Sequence, residues 1–358
     1  MVGGVGTGMT LAFPDPHEPG IAPMEARLVS ELPRGADWQY EPKWDGFRCI
    51  AYKDHDRVAL RSRSGKPLGR YFPEVEALIA ATPAARFVVD GELLVILGEA
   101  LAFGALQARL HPAESRIRRL AAETPAQFML FDALMVGDRT LVDAPQGERR
   151  AALEALHRHI AAPALPLSPM TLDVAEAEGW LARAGGALDG IVAKRRDLPY
   201  RPGERAMAKL KQLRTADCVV GGFRYASDRA LGVGSLLLGL YDDAGRLDHV
   251  GFTSGLDAAT KLDLVATLAP LIGGEGFSGN APGGPSRWST DRSADWQPLR
   301  PELVVEVRYD QVTDGRFRHG TSLLRWRTDK TPRECRRDQL APELRPAELE
   351  ELLRRPVR

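Results

Sequence analysis

The spacing of apolar and polar positions divides the chain into two stretches of different character. Tyr40 to Lys43 leads into an apolar run, Phe47–Tyr52. A polar turn from Lys53 to Arg57 follows, then Val58–Arg61, so residues 38–62 are predicted as strands joined in a hairpin. Phe87–Val89 and Leu93–Ile96 are predicted strands flanking Asp90-Gly91-Glu92, and Phe128–Leu134 reads as a further buried strand. Pro73 to Ala81 carries Val75, Leu78 and Ile79 at helical spacing. Glu148 to Ile160 and Val174 to Ala184 are also predicted helices, the second ended by Gly185-Gly186. Ile191–Ala193 and Met207–Leu210 are short predicted strands. Helices and strands intermix without a regular βαβ rhythm, so this part is expected to be α+β.

After Leu213 the pattern changes. Cys218–Tyr225, Gly234–Tyr241, Leu247–Thr253 and Leu303–Tyr309 are strand-like, with Asp242-Asp243-Ala244-Gly245 as a hairpin turn. One helix is predicted over Ala258 to Leu271, and Gly273 to Ser289 has the Gly, Pro and Ser content of a loop. About five strands with one helix predict a small β-barrel of the oligonucleotide-binding kind, an OB-fold. The expected division is a flexible leader over 1–20, a first domain over 21–213 and the barrel over 214–358.

Composition adds limits. The chain has 358 residues, enough for two domains, and no internal repeat. Lys plus Arg and Asp plus Glu are equal at 48 each, so overall charge does not point to nucleic acid, though local patches do that work. Cys49, Cys218 and Cys335 form no CxxC pair. A cysteine zinc site and a disulfide framework are therefore not expected, and a reducing cytoplasm fits the chain. No apolar run reaches the roughly 18 residues of a membrane helix, and the Gly/Pro-rich start lacks a signal-peptide pattern.

The candidate chemistry centres on Glu41-Pro42-Lys43-Trp44-Asp45-Gly46-Phe47-Arg48. A lysine at the mouth of a strand attacks phosphorus only when neutral. Bringing its pKa from about 10.4 to about 7.5 takes roughly 4 kcal/mol of burial and cationic neighbours. Lys209 and Lys211, alternate positions of one strand, are expected to supply those cations and to hold a phosphate. A surface lysine beside a glycine turn is the plainer alternative. Asp90-Gly91-Glu92 and Asp189-Gly190 offer carboxylates suited to Mg²⁺ held together with phosphates, or else ordinary turns. Two segments are strongly basic. Gly315 to Arg337 holds seven Arg and one Lys against one Asp and one Glu, and Arg57 to Arg70 holds four Arg and one Lys with no acid. Each suits a phosphate backbone, or is a solvated face.

The order of these segments carries a resemblance. KWDGFR, LRSRSG (60–65), VVDGELL (88–94), FMLFDAL (128–134), LDGIVAK (188–194), MAKLKQ (207–212) and RWRTDK (325–330) resemble, in sequence and order, the nucleotidyltransferase motifs and base-stacking motif of ATP-dependent DNA ligases. FxxLQxR from Phe103, HPAESR (111–116), LRTADCVV (213–220) and GSLLLGLY (234–241) are similar to the small actinobacterial ligase C group and to the ligase part of bacterial end-joining ligases. The resemblance covers residues 21 to 340.

It implies an ATP-grasp-like adenylation (nucleotidyltransferase) domain followed by the OB-fold. The activity implied is sealing of 3′-OH/5′-phosphate nicks in duplex DNA through a lysyl-AMP and a DNA-adenylate. Lys43 is then the nucleophile. Glu41 reads the adenine amino group, and Phe131 stacks on the base. Arg48 and Arg63 contact the sugar or the nick phosphate. Glu92 touches the ribose and, with Asp189, binds Mg²⁺ or in its place Mn²⁺. Lys209 and Lys211 hold the α-phosphate, and Arg327, Asp329 and Lys330 orient the departing pyrophosphate. Many relatives carry Glu at the position of Asp189 and an aromatic at that of Met207, which implies a shorter metal reach and looser base packing here. The implied partners are nicked DNA and a primase-polymerase of the same repair system, for a monomer associated with the nucleoid. A capping guanylyltransferase, an RNA ligase, an NAD-dependent ligase and a non-catalytic nick-binding protein are the alternatives. Glu41 and the FDxL stretch favour ATP over GTP, and the cysteine count disfavours the NAD-dependent type.

Overall fold

The computed structural model describes residues 11–97, 100–183, 188–211, 213–227, 232–283, 295–313 and 315–340. It forms two units, the first ending at Lys211 and the second spanning Gln212–Pro342. The main strands of the first unit are β1 (Ala26–Leu28), β2 (Trp38–Lys43), β3 (Phe47–Asp54), β4 (Arg57–Ser62), β5 (Arg86–Leu97), β6 (Ala126–Val136), β7 (Gly190–Arg195) and β8 (Met207–Lys211). Its helices are α1 (Pro73–Ala80), α2 (Phe103–Ala108), α3 (Glu114–Glu123), α4 (Gln146–Ile160) and α5 (Val174–Arg183).

These strands make two sheets. One has the order β1–β8–β7–β2. The other runs β4–β3–β5–β6, with the short strands Arg139–Thr140 beyond β6 and Ala100–Leu101 on β5. Alternation along β5 and β6 feeds two cores. Val89, Leu93, Phe128 and Leu130 pack with α1 and α4 residues such as Val75, Ile79, Leu153 and Leu156. Leu94 and Met129 face the other way and pack with Tyr40, Ile191, Ala193 and Ala208 of the first sheet and Trp180 of α5. The KWDG turn therefore carries the chain from one sheet to the other, leaving Lys43 at the crossing. Gly46 is required there, because a Cβ would lie 2.1 Å from Leu93 O. Trp44 pins the turn, donating from Nε1 to Ser168 Oγ at 2.9 Å.

Asp90-Gly91-Glu92 is mid-strand and not a turn. The two predicted strands around it are one, Arg86–Leu97, because both flanks and the centre pair with β3 in unbroken register from Phe47↔Leu93 to Asp54↔Arg86. α2 and α3 occupy the FxxLQxR and HPAESR segments, which carry too few apolar repeats to announce a helix. Residues 11–20, part of the expected leader, are mostly exposed but touch the first unit at several points. Arg61 donates to the carbonyls of Asp15 and Glu18, Phe13 lies 4.0 Å from the Arg57 guanidinium carbon, and Leu11 is buried. Residues 1–10 of that leader, the Gly185-Gly186 stop, residues 284–289 of the predicted loop and 341–358 lie outside the described residues.

The second unit contains β9 (Arg214–Tyr225), β10 (Val233–Tyr241), β11 (Leu247–Thr253), β12 (Val304–Tyr309), β13 (Ser322–Trp326) and the helix α6 (Ala258–Leu268), which continues as a 3₁₀ turn to Leu271. The antiparallel order is β11–β10–β9–β12–β13. Thr253 and Thr321 form a parallel bridge, with Thr253 Oγ1 donating to Thr321 O at 2.9 Å, so the two edge strands meet and the barrel closes. Its interior is filled by residues including Cys218, Val220, Leu236, Leu238, Val250, Val305 and Val307.

Candidate active site

Strand register assembles the lysines. Lys43 on β2 pairs with Gly190 on β7, and Gly190 pairs with Lys211 on β8. Two rows along, Glu41 pairs with Val192, and Val192 with Lys209. Directly paired residues share a face, so Lys43, Lys211, Glu41 and Lys209 project from the same side. Between Lys43 and Lys211 stands a glycine. Gly190 has φ +146°, and a Cβ there would lie 1.9 Å from Leu210 O, so no other residue fits this position without displacing the neighbouring strand.

The expected meeting of Lys43 with Lys209 and Lys211 is thus present, with a carboxylate added. Lys43 Nζ forms an ion pair with Asp189 Oδ2, and the other Asp189 oxygen lies 3.8 Å from Lys211 Nζ. Asp189 donates its own N–H to Lys43 O at 3.1 Å, which fixes the carboxylate beside the amine. The sequence reading gave Lys43 cationic neighbours and assigned Asp189 to a metal, not to the amine. In the structure the amine must also leave its contact with the Asp189 carboxylate before it can attack. The Lys43 side chain is 24 % exposed, a partly screened setting. Burial, followed by the charges of Lys43 and Lys211, lowers the pKa of Lys209. Three ammonium groups around one carboxylate leave an excess of positive charge, the condition for holding a phosphate.

Glu92 approaches from the other sheet, directly opposite Arg48. Burial pushes its carboxyl up to about 7, against the pull of Arg48 and Lys43. The shift has a thermodynamic consequence. The folded state holds a proton on Glu92 that the unfolded chain releases near its ordinary 4.5, so stability falls as pH rises from about 4.5 to about 7. Without metal or nucleotide, Glu92→Gln is expected to stabilise the protein at pH 8 by up to about 3 kcal/mol and to change nothing at pH 4, where both states are protonated. Melting curves at the two pH values check this, and an equal change at both would refute it.

Arg48 is fixed by Asp90. Its Nε and Nη2 each donate at 2.6 Å to the two oxygens of this fully buried carboxylate, which also accepts from Tyr200 Oη at 2.6 Å. Asp90 is therefore committed to positioning Arg48. Arg63 is 67 % exposed and paired with Glu25 at 2.6 Å, near Arg205 and Lys209, at the rim and not in the interior.

Phe131 owes its direction to a bulge. Asp90 pairs with Asp132 and Gly91 with Leu130, so Phe131 is the extra residue of β6. Its ring is 8 % exposed and has the Arg48 guanidinium carbon at 4.5 Å and Lys194 Nζ at 4.8 Å. Both Glu41 oxygens are engaged, one by Gln39 Nε2 at 2.8 Å and the other by Lys194 Nζ at 2.9 Å. Sequence reasoning quoted Lys194 within LDGIVAK but gave it no role, and Gln39, two positions before Glu41 on the same strand face, was the signal it passed over.

In the second unit, Arg327 and Lys330 converge on a residue the sequence reading did not single out. Arg327 Nη1 and Lys330 Nζ each donate at 2.8 Å to Asp217, and Arg327 also grips Asp329 through two bonds of 2.9 Å. The Arg327 hydrogen bonds hold Asp329 down at about 2.

The donor set fits a nucleoside triphosphate and is sparse for a metal. Among the described residues no group of three His, Cys, Asp or Glu side chains is placed to hold a cation. Glu92 and Asp189 offer two carboxylates, which suits Mg²⁺ completed by phosphate oxygens and water rather than a protein cage. Among the described residues no helix is long and apolar enough to cross a membrane.

The family model for the ATP dependent DNA ligase domain matches residues 23–211, and that for the ATP dependent DNA ligase C terminal region matches residues 229–330. The chain is 43 % identical over 341 residues to DNA ligase C of Mycobacterium tuberculosis (strain H37Rv), covering 91 % of this chain and 95 % of that protein. It is 45 % identical to DNA ligase C1 of Mycolicibacterium smegmatis over 341 residues, with the same coverage. It is 32 % identical over 326 residues to the multifunctional non-homologous end joining DNA repair protein LigD of M. tuberculosis (strain H37Rv), covering 89 % of this chain and 40 % of that protein. Among solved structures, a Lig E DNA ligase shares the fold, with a TM-score of 0.53 at 18 % identity over 86 % of this chain and 99 % of that one. Agreement of this extent, in order through both units, means that the chain belongs to the ATP-dependent DNA ligases.

Proposed function

We propose that Lys43 is the amine that carries AMP while this ligase seals a 3′-OH/5′-phosphate nick in duplex DNA. The observation that supports this most is the row Lys43–Gly190–Lys211, with Lys209 two rows away and Asp189 between the two end ammonium groups. Lys43 leaves its ion pair with Asp189, its proton passes to water at its partly exposed side, and its lone pair attacks the α-phosphorus. Lys209 and Lys211 neutralise the charge that grows on the phosphate oxygens. Glu41 and Phe131 hold the base, Arg48 and Arg63 the sugar and the nick phosphate, and Glu92 the ribose. Glu92 and Asp189 would hold Mg²⁺, or Mn²⁺ in its place, which supplies charge neutralisation at the phosphates when bound. Arg327, Asp329 and Lys330 orient the departing pyrophosphate. AMP then passes to the 5′-phosphate of the nick, and attack by the 3′-hydroxyl releases it.

The test is the intact mass of the protein before and after ATP, with and without nicked DNA. ATP adds one AMP, mapped by peptide sequencing to Lys43, and nicked DNA removes it. An adduct on any other residue, or none, rejects the assignment. Asp329→Ala is expected to slow adduct formation at least about tenfold, the size of a lost charged hydrogen bond, while largely sparing sealing of pre-adenylated DNA. Equal loss in both assays would count against a first-step role.

The setting we propose is DNA repair in the cytoplasm at the nucleoid, as a monomer working with a primase-polymerase of the same system. The likeness to LigD, named for end joining and DNA repair, supports the repair setting. Nick sealing in extracts with and without that polymerase tests the partnership.

A further inference from the structure

The base end of the site contains a charge arrangement that the reaction itself does not need. Gln39, Glu41 and Lys194 are 0 %, 2 % and 3 % exposed, so none can rely on water. Lys194 stands directly across from Gln39 in the β2–β7 ladder, two rows from Glu41 and on the same face. Its ammonium donates to Glu41 Oε2 at 2.9 Å and to Phe131 O at 3.2 Å. Gln39 Nε2 donates to Glu41 Oε1 at 2.8 Å, and this contact fixes the amide orientation, since the flipped amide would set two acceptors together. Gln39 Oε1 is then a buried acceptor with no hydrogen-bond partner among the described residues.

We propose that Lys194, assisted by Gln39, is the positioning residue that makes this ligase select adenine over guanine, by holding Glu41 as an acceptor-only carboxylate against the base edge. The inference rests on the reading of Glu41 as the residue that meets the exocyclic group of the purine. Adenine presents an amino donor at that position, and guanine presents a carbonyl acceptor. A carboxylate that takes a donor on each oxygen, the Gln39 amide on one and the Lys194 ammonium on the other, offers the base only acceptor lone pairs. It therefore bonds the adenine amino group and repels the guanine carbonyl. The unpartnered Gln39 Oε1 provides an acceptor for the second amino hydrogen. With Lys194 gone, Glu41 keeps its burial at 2 % exposure but loses its cation, and an unpaired charge is costly there. A neutral carboxyl can donate to guanine, so selectivity is lost by a gain for GTP as well as a loss for ATP. A merely structural lysine would lower both together.

The experiment measures adduct formation by the full chain from ATP and from GTP, each radiolabelled at the α-phosphate. It compares wild type, Lys194→Met, Lys194→Gln and Glu41→Gln, with circular dichroism to verify folding. Lys194→Gln keeps a donor without the charge and serves if the methionine variant does not fold. The ATP-to-GTP ratio is expected to fall at least about tenfold in the Lys194 variants, the scale of one hydrogen bond to a charged group, with GTP labelling raised above wild type. A wild-type ratio in folded Lys194 variants, alongside a collapsed ratio in Glu41→Gln, overturns the role of Lys194 alone. A wild-type ratio in Glu41→Gln removes base reading by Glu41, and the inference with it.

Discussion

Lys43→Ala is expected to abolish the protein–AMP adduct, lowering its rate below detection and by at least about ten-thousandfold, as loss of a covalent nucleophile does. The fold should survive. Lys43 is partly exposed at the end of β2, and the turn after it is held by Trp44, Ser168 and the close fit of Gly46 against Leu93. Asp189 loses one cation but keeps Lys211 within 4 Å. Lys43→Arg should fail equally, because a guanidinium does not give up its proton near neutrality. Both variants should still seal DNA supplied with AMP already on the 5′-phosphate, since that substrate bypasses the amine. The measurement is label transfer to protein compared with closure of pre-adenylated nicks. An adduct of full intensity in either variant would remove Lys43 from the reaction.

The second large effect concerns stability. Arg149→Ala is expected to cost about 3–5 kcal/mol, the penalty for breaking a buried ion pair on one side. That is a large share of the roughly 5–15 kcal/mol that keeps a domain folded. Arg149 is fully buried on α4. It grips Asp132 with bonds of 2.8 and 3.0 Å, donates to Ala144 O at 2.8 Å and to the Gln146 side chain, and lies 5.4 Å from the Tyr200 ring. Truncation leaves the Asp132 carboxylate, 1 % exposed, in the core without its cation. Replacing both partners, Arg149→Met with Asp132→Leu, removes both charges and should recover much of the loss. Urea unfolding midpoints of the single and double variants decide the matter. A single variant within about 1 kcal/mol of wild type would show that the pair is not needed.

What was legible in the sequence follows from which contacts are local. Lys209 and Lys211 sit at alternate strand positions, so their common face was readable directly, while their approach to Lys43 was expected from the chemistry of a neutral amine and from the family resemblance. The Asp189–Lys43 ion pair was not readable. It depends on Lys43 pairing with Gly190, a contact between segments far apart in the chain. Asp90-Gly91-Glu92 stayed open between paired carboxylates and a turn because Asp-Gly is a common turn signal, whereas here the glycine is needed for close approach. A Cβ on Gly91 would lie 2.5 Å from Met129 O. The direction of Phe131 rests on one unpaired residue in β6, and no propensity reports that. Asp217 was hidden for a further reason. It lies in an ordinary barrel strand, and only the fold brings Arg327 and Lys330 to it.

Glu41 and Lys43 occupy the first and third places of a three-residue run of β2, which separates their backbones by about 7 Å. If one end grips the nucleobase and the other the phosphorus, the strand is a yardstick whose graduation is the peptide unit itself. Side-chain changes can weaken either end by degrees, but none can alter the graduation. A single-residue insertion or deletion between them would turn one end to the opposite side of the sheet. Variation among descendants of this chain should therefore tolerate exchanges at Pro42 far better than any change in the length of this short run.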